Sequence, residues 1–435
     1  MLMKVLLRFD PAPIVWSVTR PAPDQLSSRT ALGRPYPRSA RRRGCAQPNQ
    51  VASAPSRPAS VRSASAVGSP SPSIMRLNSI SILGDGQMGL VCAAILAQPD
   101  SGSGSPPAIA GTAPTSTKRA GSRRITLWGH DAADVLMLAR TRTSPRLAGF
   151  VLPASVGVTP ADEEALHGAD LIVSAIPVQF IRSAWVRLRP HVPRDAAVIS
   201  VAKGIETGTL LRPTEVIAEV LGDDPDRAPR AMGVLSGPTI ASELARCLPA
   251  TMIAASERPE FAVAVQQLFS TNWLRIYTST DVLGVELAGA MKNVIAIAAG
   301  ILDGLHAGNN AKSALLARGL AEITRLGTAM GARTDTFFGL AGMGDLATTC
   351  FSPEGRNRSC GEALGKGETL EKYLGRTRSV VEGVATTKAV MELAKKYRVE
   401  MPITAAVHAV LYEGVDPIDA ISELMSRELK AERVG

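Results

Sequence analysis

A chain of 435 residues with 45% apolar and 4% aromatic side chains has the length and apolar content for two or three domains. Its five cysteines (Cys45, Cys92, Cys247, Cys350, Cys360) are odd in number, scattered and without a CxxC pair, which argues against a disulfide framework or a structural zinc site and fits a reducing compartment. The net charge of +9 belongs to residues 1–75, which hold eleven Lys and Arg against two Asp; the remainder balances at 37 against 37 and offers no reason for a nucleic-acid-binding surface.

Residues 1–75 also hold 11 of the 30 prolines, with many Ser, Ala and Arg, and no sustained period. They read as a disordered, basic Pro/Ser/Arg-rich extension. Such a segment reads as a stretch upstream of a true start at Met75, as a dispensable or organellar-targeting tail, or as a tail of unknown role. A secretory signal fits less well, because Lys4, Arg8 and Asp10 break its apolar start. The most apolar run, Val285 to Leu302, is interrupted by Lys292 and Asn293 and does not read as a membrane span.

The body opens on the alternating strand Ser79–Leu83, followed by Gly84-Asp85-Gly86-Gln87-Met88-Gly89 and a helical pattern through Leu90, Val91, Ala94 and Ile95. Residues 99–123, rich in Ser, Gly, Pro and Thr, read as a surface loop before the strand Ile125–Trp128. Apolar runs at Leu171–Ile176, Val198–Ala202, Gly233–Leu235 and Met252–Ala255 alternate with helical stretches and predict a mostly parallel, doubly wound sheet. From Val282 onward helical patterns dominate: Val282–Leu302, Ala311–Met330, Val381–Tyr397 and Ile418–Met425. The expected organisation is the extension (1–75), an α/β Rossmann-type dinucleotide-binding domain (76–280) and an all-α substrate domain (281–435).

GxGxxG carries weight only where it follows a strand and opens a helix, as it does here. Gly84 permits the tight turn, Gly86 lets backbone approach a pyrophosphate, and Gly89 allows close packing of helix on strand. The helix N-terminus supplies free N–H groups to the phosphates. The ribose is read at the end of the next strand, Trp128-Gly129-His130-Asp131. Asp131 would accept from a 2′-hydroxyl and favour NAD; His130 and Arg140 would face a 2′-phosphate and favour NADP. The cofactor is therefore NAD or NADP.

Lys203 and the run Ser236-Gly237-Pro238-Thr239 lie at the carboxyl ends of predicted strands, the edge where open α/β sheets bind ligands. Lys292-Asn293 sits inside a run of small apolar residues. Lys292 is either a buried, tunable proton carrier suited to general acid/base work at a carbonyl carbon, or a surface lysine on a polar face with Asn293 and Ala296. Asp345 is placed to orient a lysine, and Arg356-Asn357-Arg358 has the donors for a phosphate or a carboxylate. HExxH, Walker A and GxSxG motifs are missing, and the five histidines suggest no metal site.

In this order the segments VAKGIETG (201–208), LSGPTIASE (235–243), VELAGAMKNVIAIAAGILD (285–303), RGLAEITRL (318–326), LAGMGDLATTC (340–350), Arg356–Arg358 and VVEG (380–383) resemble bacterial-type NAD(P)-dependent glycerol-3-phosphate dehydrogenase. The resemblance implies reversible reduction of dihydroxyacetone phosphate to sn-glycerol 3-phosphate, for glycerophospholipid synthesis, by a cytoplasmic homodimer without metal. It further implies that Lys292 is the proton donor at the substrate C2 oxygen, that Lys203 contacts substrate and cofactor, and that Asp345 holds the lysine and the substrate hydroxyls. Arg356, Asn357, Asn293 and Thr349 would grip the phosphate. Gly237, Thr239 and Ala241 would line the junction of substrate and cofactor, and Val380 and Glu382 the nicotinamide side. Gly84, Gly86, Gln87, Met88, Gly89, His130, Lys203, Ala241 and Arg356 complete the expected cofactor contacts. Gln87, Met88 and Leu90 replace the family's usual Ser, aromatic and Thr; Val178 and Gly355 each replace a Ser; His130 stands where Arg is common. The rival readings are a related 3-hydroxyacid or sugar-acid dehydrogenase and a non-catalytic dinucleotide sensor.

Overall fold

A computed structural model describes residues 77–98, 123–223, 230–377, 379–429 and 431–432, all within one compact unit. The extension 1–75 and, apart from Arg123, the 99–123 loop lie outside the described residues. The α/β half runs β1 (Ser79–Leu83), α1 (Gln87–Leu96), β2 (Arg124–Trp128), α2 (Ala132–Thr141), β3 (Val156–Thr159), α3 (Asp162–Leu166), β4 (Leu171–Ser174), α4 (Val178–Leu188), β5 (Ala197–Ser200), α5 (Pro213–Leu221), β6 (Met232–Ser236), α6 (Ala241–Ala245), β7 (Ala250–Ala255), α7 (Pro259–Phe269) and β8 (Leu274–Ser279). The helical half follows with α8 (Val282–Gly304), α9 (Gly308–Ala329), α10 (Thr334–Phe338), α11 (Asp345–Phe351), α12 (Arg356–Gly365), α13 (Leu370–Arg376), α14 (Glu382–Tyr397), α15 (Pro402–His408) and α16 (Pro417–Met425).

The eight strands form one sheet in the order β3-β2-β1-β4-β5-β6-β7-β8. Pairing is parallel from β3 to β6 and antiparallel between β6 and β7; β8 then runs parallel to β7. The chain order reverses between β1, which pairs Ile80 with Ile125 of β2, and β4, whose Leu171 faces the other side of Ile80. Open sheets bind ligands outside the carboxyl ends of the strands at such a switch point. The strands buried on both faces, β4 and β5, are continuous apolar runs, as a sheet covered by helices requires.

Two strands escaped the sequence reading. β3 is four residues at the sheet edge with Gly157 inside it. β8, the opposite edge, alternates buried Leu274 and Ile276 with exposed Arg275 and Tyr277 and has no continuous apolar run.

α8 is the axis of the helical half and contacts α9, α10, α11, α12, α14 and α15. A helix surrounded on all sides must be apolar all round. Its mean hydropathy of 1.6 over a membrane-spanning length therefore reflects core position: 94% of that stretch is buried within the protein. Close approach of α12 depends on glycine. A Cβ on Gly300 would lie 1.9 Å from the Arg358 carbonyl oxygen, and one on Gly361 would lie 1.9 Å from that of Ile297. This backbone-to-backbone crossing brings the start of α12 beside the middle of α8.

Candidate active site

Side chains at the carboxyl edge of the sheet and on the facing helices line a cleft of about 530 Å³. One end is the β1–α1 turn. Gly84 takes φ +115°, open to glycine alone at low cost, and a Cβ there would sit 2.7 Å from the Ala175 carbonyl oxygen on the neighbouring strand's turn. A Cβ on Gly89 would collide with the Gly84 carbonyl oxygen at 1.8 Å. Among the described residues nothing lies within 4 Å of where a Gly86 Cβ would project. Gly86 is also the N-cap of α1 and provides no side-chain cap, so the first-turn N–H groups of that helix have no partner from it. An open glycine face beside a helix N-terminus is a cradle for a pyrophosphate, and these residues fit a dinucleotide. Gln87 and Met88 line the cleft beside it, and the Gln87 amide is tied to the Arg146 carbonyl at 2.8 Å.

The other end is built around Asp345, which is fully buried. A single-turn π segment, Leu340–Gly344, turns the chain into α11 and delivers Asp345 beneath α8; such segments recur at functional sites. One carboxylate oxygen of Asp345 pairs with Lys203 Nζ at 2.6 Å and the other with Lys292 Nζ at 2.9 Å. Lys203 donates in addition to the Gly237 carbonyl at 3.0 Å and to Thr239 Oγ1 at 3.4 Å, so its three N–H bonds all have partners. Lys292 donates to Thr349 Oγ1 and to Asp345, which leaves it one N–H; Thr349 in turn donates to Asp345 at 3.3 Å.

Lys292 is only 6% exposed, which settles the alternative of a polar helix face. Asn293 is buried with it. Burial pushes the Lys292 ammonium down to about 8; the Asp345 charge opposes the shift and the Lys203 charge adds to it. Glu382 lines the same region. Burial raises its carboxyl, and Arg356, Lys292 and Lys203 pull the other way.

α12 opens at Gly355, which provides no side-chain cap, and it brings Arg356 and Asn357 to the cleft wall. The Asn357 carbonyl oxygen accepts from the Gly383 amide at 2.9 Å, which fixes the side chain with its NH₂ group uncommitted to that contact. The third member of the triplet, Arg358, turns away and pairs with Asp303 at 2.6 Å. Thr239, Ala241, Thr349 and Val380 also line the cleft. Gly89, Gly237 and Asp345 stand behind its surface.

The adenosine end differs from the sequence expectation in detail. Asp131 is the N-cap of α2 and accepts from the Asp134 amide at 3.0 Å, and neither it nor Arg140 lines the cleft. His130 does, together with Arg146 and Arg187, which the sequence reading did not single out. Arg187 lies on α4 at the i+7 position from Phe180, and Phe180, Ser183, Ala184 and Arg187 form the cleft-facing stripe of that helix. The contact of Arg187 with the Trp128 ring of β2 places this stripe on the cleft wall, a long-range relation that the sequence does not display.

A dinucleotide cradle at the switch point of a doubly wound sheet, facing a buried Lys–Asp–Lys cluster, defines a nicotinamide-dinucleotide-linked oxidoreductase with a helical second half. Comparison with known proteins gives the particular family. The family model described as the NAD-dependent glycerol-3-phosphate dehydrogenase N-terminus matches residues 79–262, and that of the C-terminus matches residues 281–422. The NAD(P)+ glycerol-3-phosphate dehydrogenase 2 of Mycobacterium tuberculosis is 45% identical over 309 residues, covering 71% of this chain and 91% of the relative. The NAD(P)+ enzyme of Geobacter sulfurreducens is 46% identical over 310 residues, covering 71% and 92%. A crystal structure of glycerol-3-phosphate dehydrogenase from Coxiella burnetii superposes with TM-score 0.71 at 32% identity, over 80% of this chain and 99% of that one. The chain belongs to the NAD-dependent glycerol-3-phosphate dehydrogenase family.

Proposed function

We propose that the chain interconverts dihydroxyacetone phosphate and sn-glycerol 3-phosphate with NAD(P)H or NAD(P)+. The observation that carries this reading is the Lys203–Asp345–Lys292 cluster at the end of a cleft that begins in a dinucleotide cradle. The family membership supports the substrate.

The cofactor, held by the Gly84–Gly89 turn and the walls at His130, Ala241, Val380 and Glu382, supplies a hydride when bound. Reduction of the ketone leaves negative charge on the C2 oxygen. Lys292 has one N–H free of partners among the described residues to stabilise that charge, and its ammonium then gives up the proton. In the oxidative direction the neutral amine takes the alcohol proton. A lysine lowered to about 8 serves both directions near neutral pH. Asp345 holds Lys292 in place and keeps it from losing its proton entirely. Lys203 is saturated by protein acceptors and contributes position and positive charge.

Arg356, Asn357 and the uncapped start of α12 receive the phosphate. Because the phosphate is remote from the reacting carbon, its capture orients the carbonyl. Thr349 and Asn293 flank this subsite. We further propose that the product enters glycerophospholipid synthesis, and that the enzyme is a cytoplasmic homodimer; both follow from the family resemblance. The test is oxidation of NADH and of NADPH by the purified protein with dihydroxyacetone phosphate. Turnover with either supports the reading. A folded protein that binds dinucleotide and turns over neither overturns it.

A further inference from the structure

We propose that Arg187 of α4 reads the 2′-phosphate of NADP(H), so that this chain selects NADP(H) over NAD(H); the proposal rests on the dinucleotide reading above. In doubly wound folds the end of β2 meets the adenosine ribose: a carboxylate there accepts from the 2′-hydroxyl of NAD, whereas an arginine accommodates the 2′-phosphate of NADP. The carboxylate at that position, Asp131, caps α2 through Oδ1 and stands off the cleft wall.

The charged groups that do line this end are Asp85, Arg146 and Arg187, with His130 among them. Arg146 is consumed on both sides of its fork. One Nη pairs with Asp85 at 2.7 Å and the other with Asp134 at 2.7 Å. The same pairing leaves the Asp85 carboxylate with a cation in place of a ribose hydroxyl.

Arg187 is held differently. Asp162 takes its Nε and one Nη in a two-point grip, both at 2.7 Å, and also accepts from the Trp128 indole N–H at 2.9 Å. The guanidinium lies 5.4 Å from the Trp128 ring centroid. The remaining Nη is committed to no carboxylate; its neighbour is His130 Nδ1 at 3.4 Å, also on the cleft wall. A guanidinium fixed by a carboxylate behind it and an indole beneath it presents its last edge without further loss of side-chain freedom. That edge, beside the His130 ring on the cleft wall, matches a phosphate monoester.

The test is calorimetric titration of the purified full-length chain with adenosine 2′,5′-bisphosphate and, separately, adenosine 5′-monophosphate. The wild type is expected to bind the bisphosphate roughly tenfold or more tightly, the scale of one charge-assisted hydrogen-bond pair. Arg187→Gln should abolish that ratio and leave monophosphate binding unchanged, Arg187→Lys should retain part of it, and Asp131→Ala should leave it intact. Equal binding of the two nucleotides by the wild type, or a ratio unchanged in a folded Arg187→Gln variant, overturns the proposal and leaves the dinucleotide reading standing. Binding of neither nucleotide by the folded wild type overturns both.

Discussion

Asp345→Asn isolates the electrostatics of the cluster, because asparagine keeps the shape and removes the charge. The carboxylate touches both lysines, at 2.6 and 2.9 Å, in a position with no solvent exposure. It opposes the burial that already brings Lys292 down to about 8. An opposite charge this close supports a pKa by roughly 1–3 units. Its loss should carry the midpoint of Lys292 to about 5–7, with Lys203 still pushing the same way. For a drop of about two units, the ammonium fraction at about pH 7.5 falls by roughly 25-fold. The assay is kcat for dihydroxyacetone phosphate reduction across pH, with dinucleotide binding measured in parallel. Wild-type reduction should decline as pH rises through about 8, and glycerol 3-phosphate oxidation should rise through the same point, because one direction needs the ammonium and the other the amine. The variant's reductive limb should move to lower pH. A variant whose kcat is scaled down uniformly, with its midpoint still near that of the wild type, would refute the assignment of the titrating group.

Further outcomes follow from the same geometry. Lys292→Ala should cut turnover by about two to four orders of magnitude while dinucleotide binding persists, as read by kcat and by calorimetry. Arg356→Ala should raise KM for the phosphate substrate by roughly tenfold or more and leave cofactor affinity less affected, as steady-state kinetics would show. Gly361→Ala should cost about 1–3 kcal/mol in urea unfolding and raise KM as well, since a methyl 1.9 Å from the Ile297 carbonyl oxygen must lift α12, and with it Arg356 and Asn357, off α8. Glu322 accepts from the Ile403 and Thr404 amides at the start of α15, and burial raises its carboxyl to about 7. The folded state therefore binds this proton more tightly than the unfolded chain. The stability it contributes is complete below about pH 4.5 and lost as pH rises through about 7. Glu322→Gln should flatten the dependence of the urea midpoint between those values.

The chemistry was more legible than the architecture around it. Strand, glycine turn and helix at 79–96 are local features, so their reading needed no tertiary information. Lys292 drew attention because a lysine is out of place in a run of Gly, Ala and Ile, and the same run explains why that helix became the core of the second half. Whether the lysine faced solvent could not be read locally, because α8 is apolar on every face and its period points nowhere. The edge strands β3 and β8 were missed for a related reason: one is short and carries glycine, and the other exposes every second side chain. Arg187 and Arg146 were missed because their place on the cleft wall depends on contacts distant in sequence, Arg187 with Trp128 and Asp162 and Arg146 with Asp85, which no short motif encodes.

The position of Asp345 ties the two halves of the chain to one another from the interior. Its carboxylate draws one lysine from the carboxyl end of β5 and another from the middle of α8, so the sheet and the helical half share this buried anion. Two ammonium groups at one carboxylate would leave a net positive charge in the interior. That arrangement is costly in an isolated protein, because neither lysine can be fully compensated. The open cleft beside them resolves the imbalance, because a phosphorylated substrate brings negative charge to it. The cluster is therefore an anion site by construction, and substrate binding should stabilise the fold. Thermal unfolding with and without glycerol 3-phosphate checks this, with a rise in midpoint expected for the wild type and a smaller one for Lys292→Ala. An equal rise in both would show that the phosphate subsite at α12 alone accounts for the stabilisation and that the Lys–Asp–Lys charge imbalance contributes nothing to it.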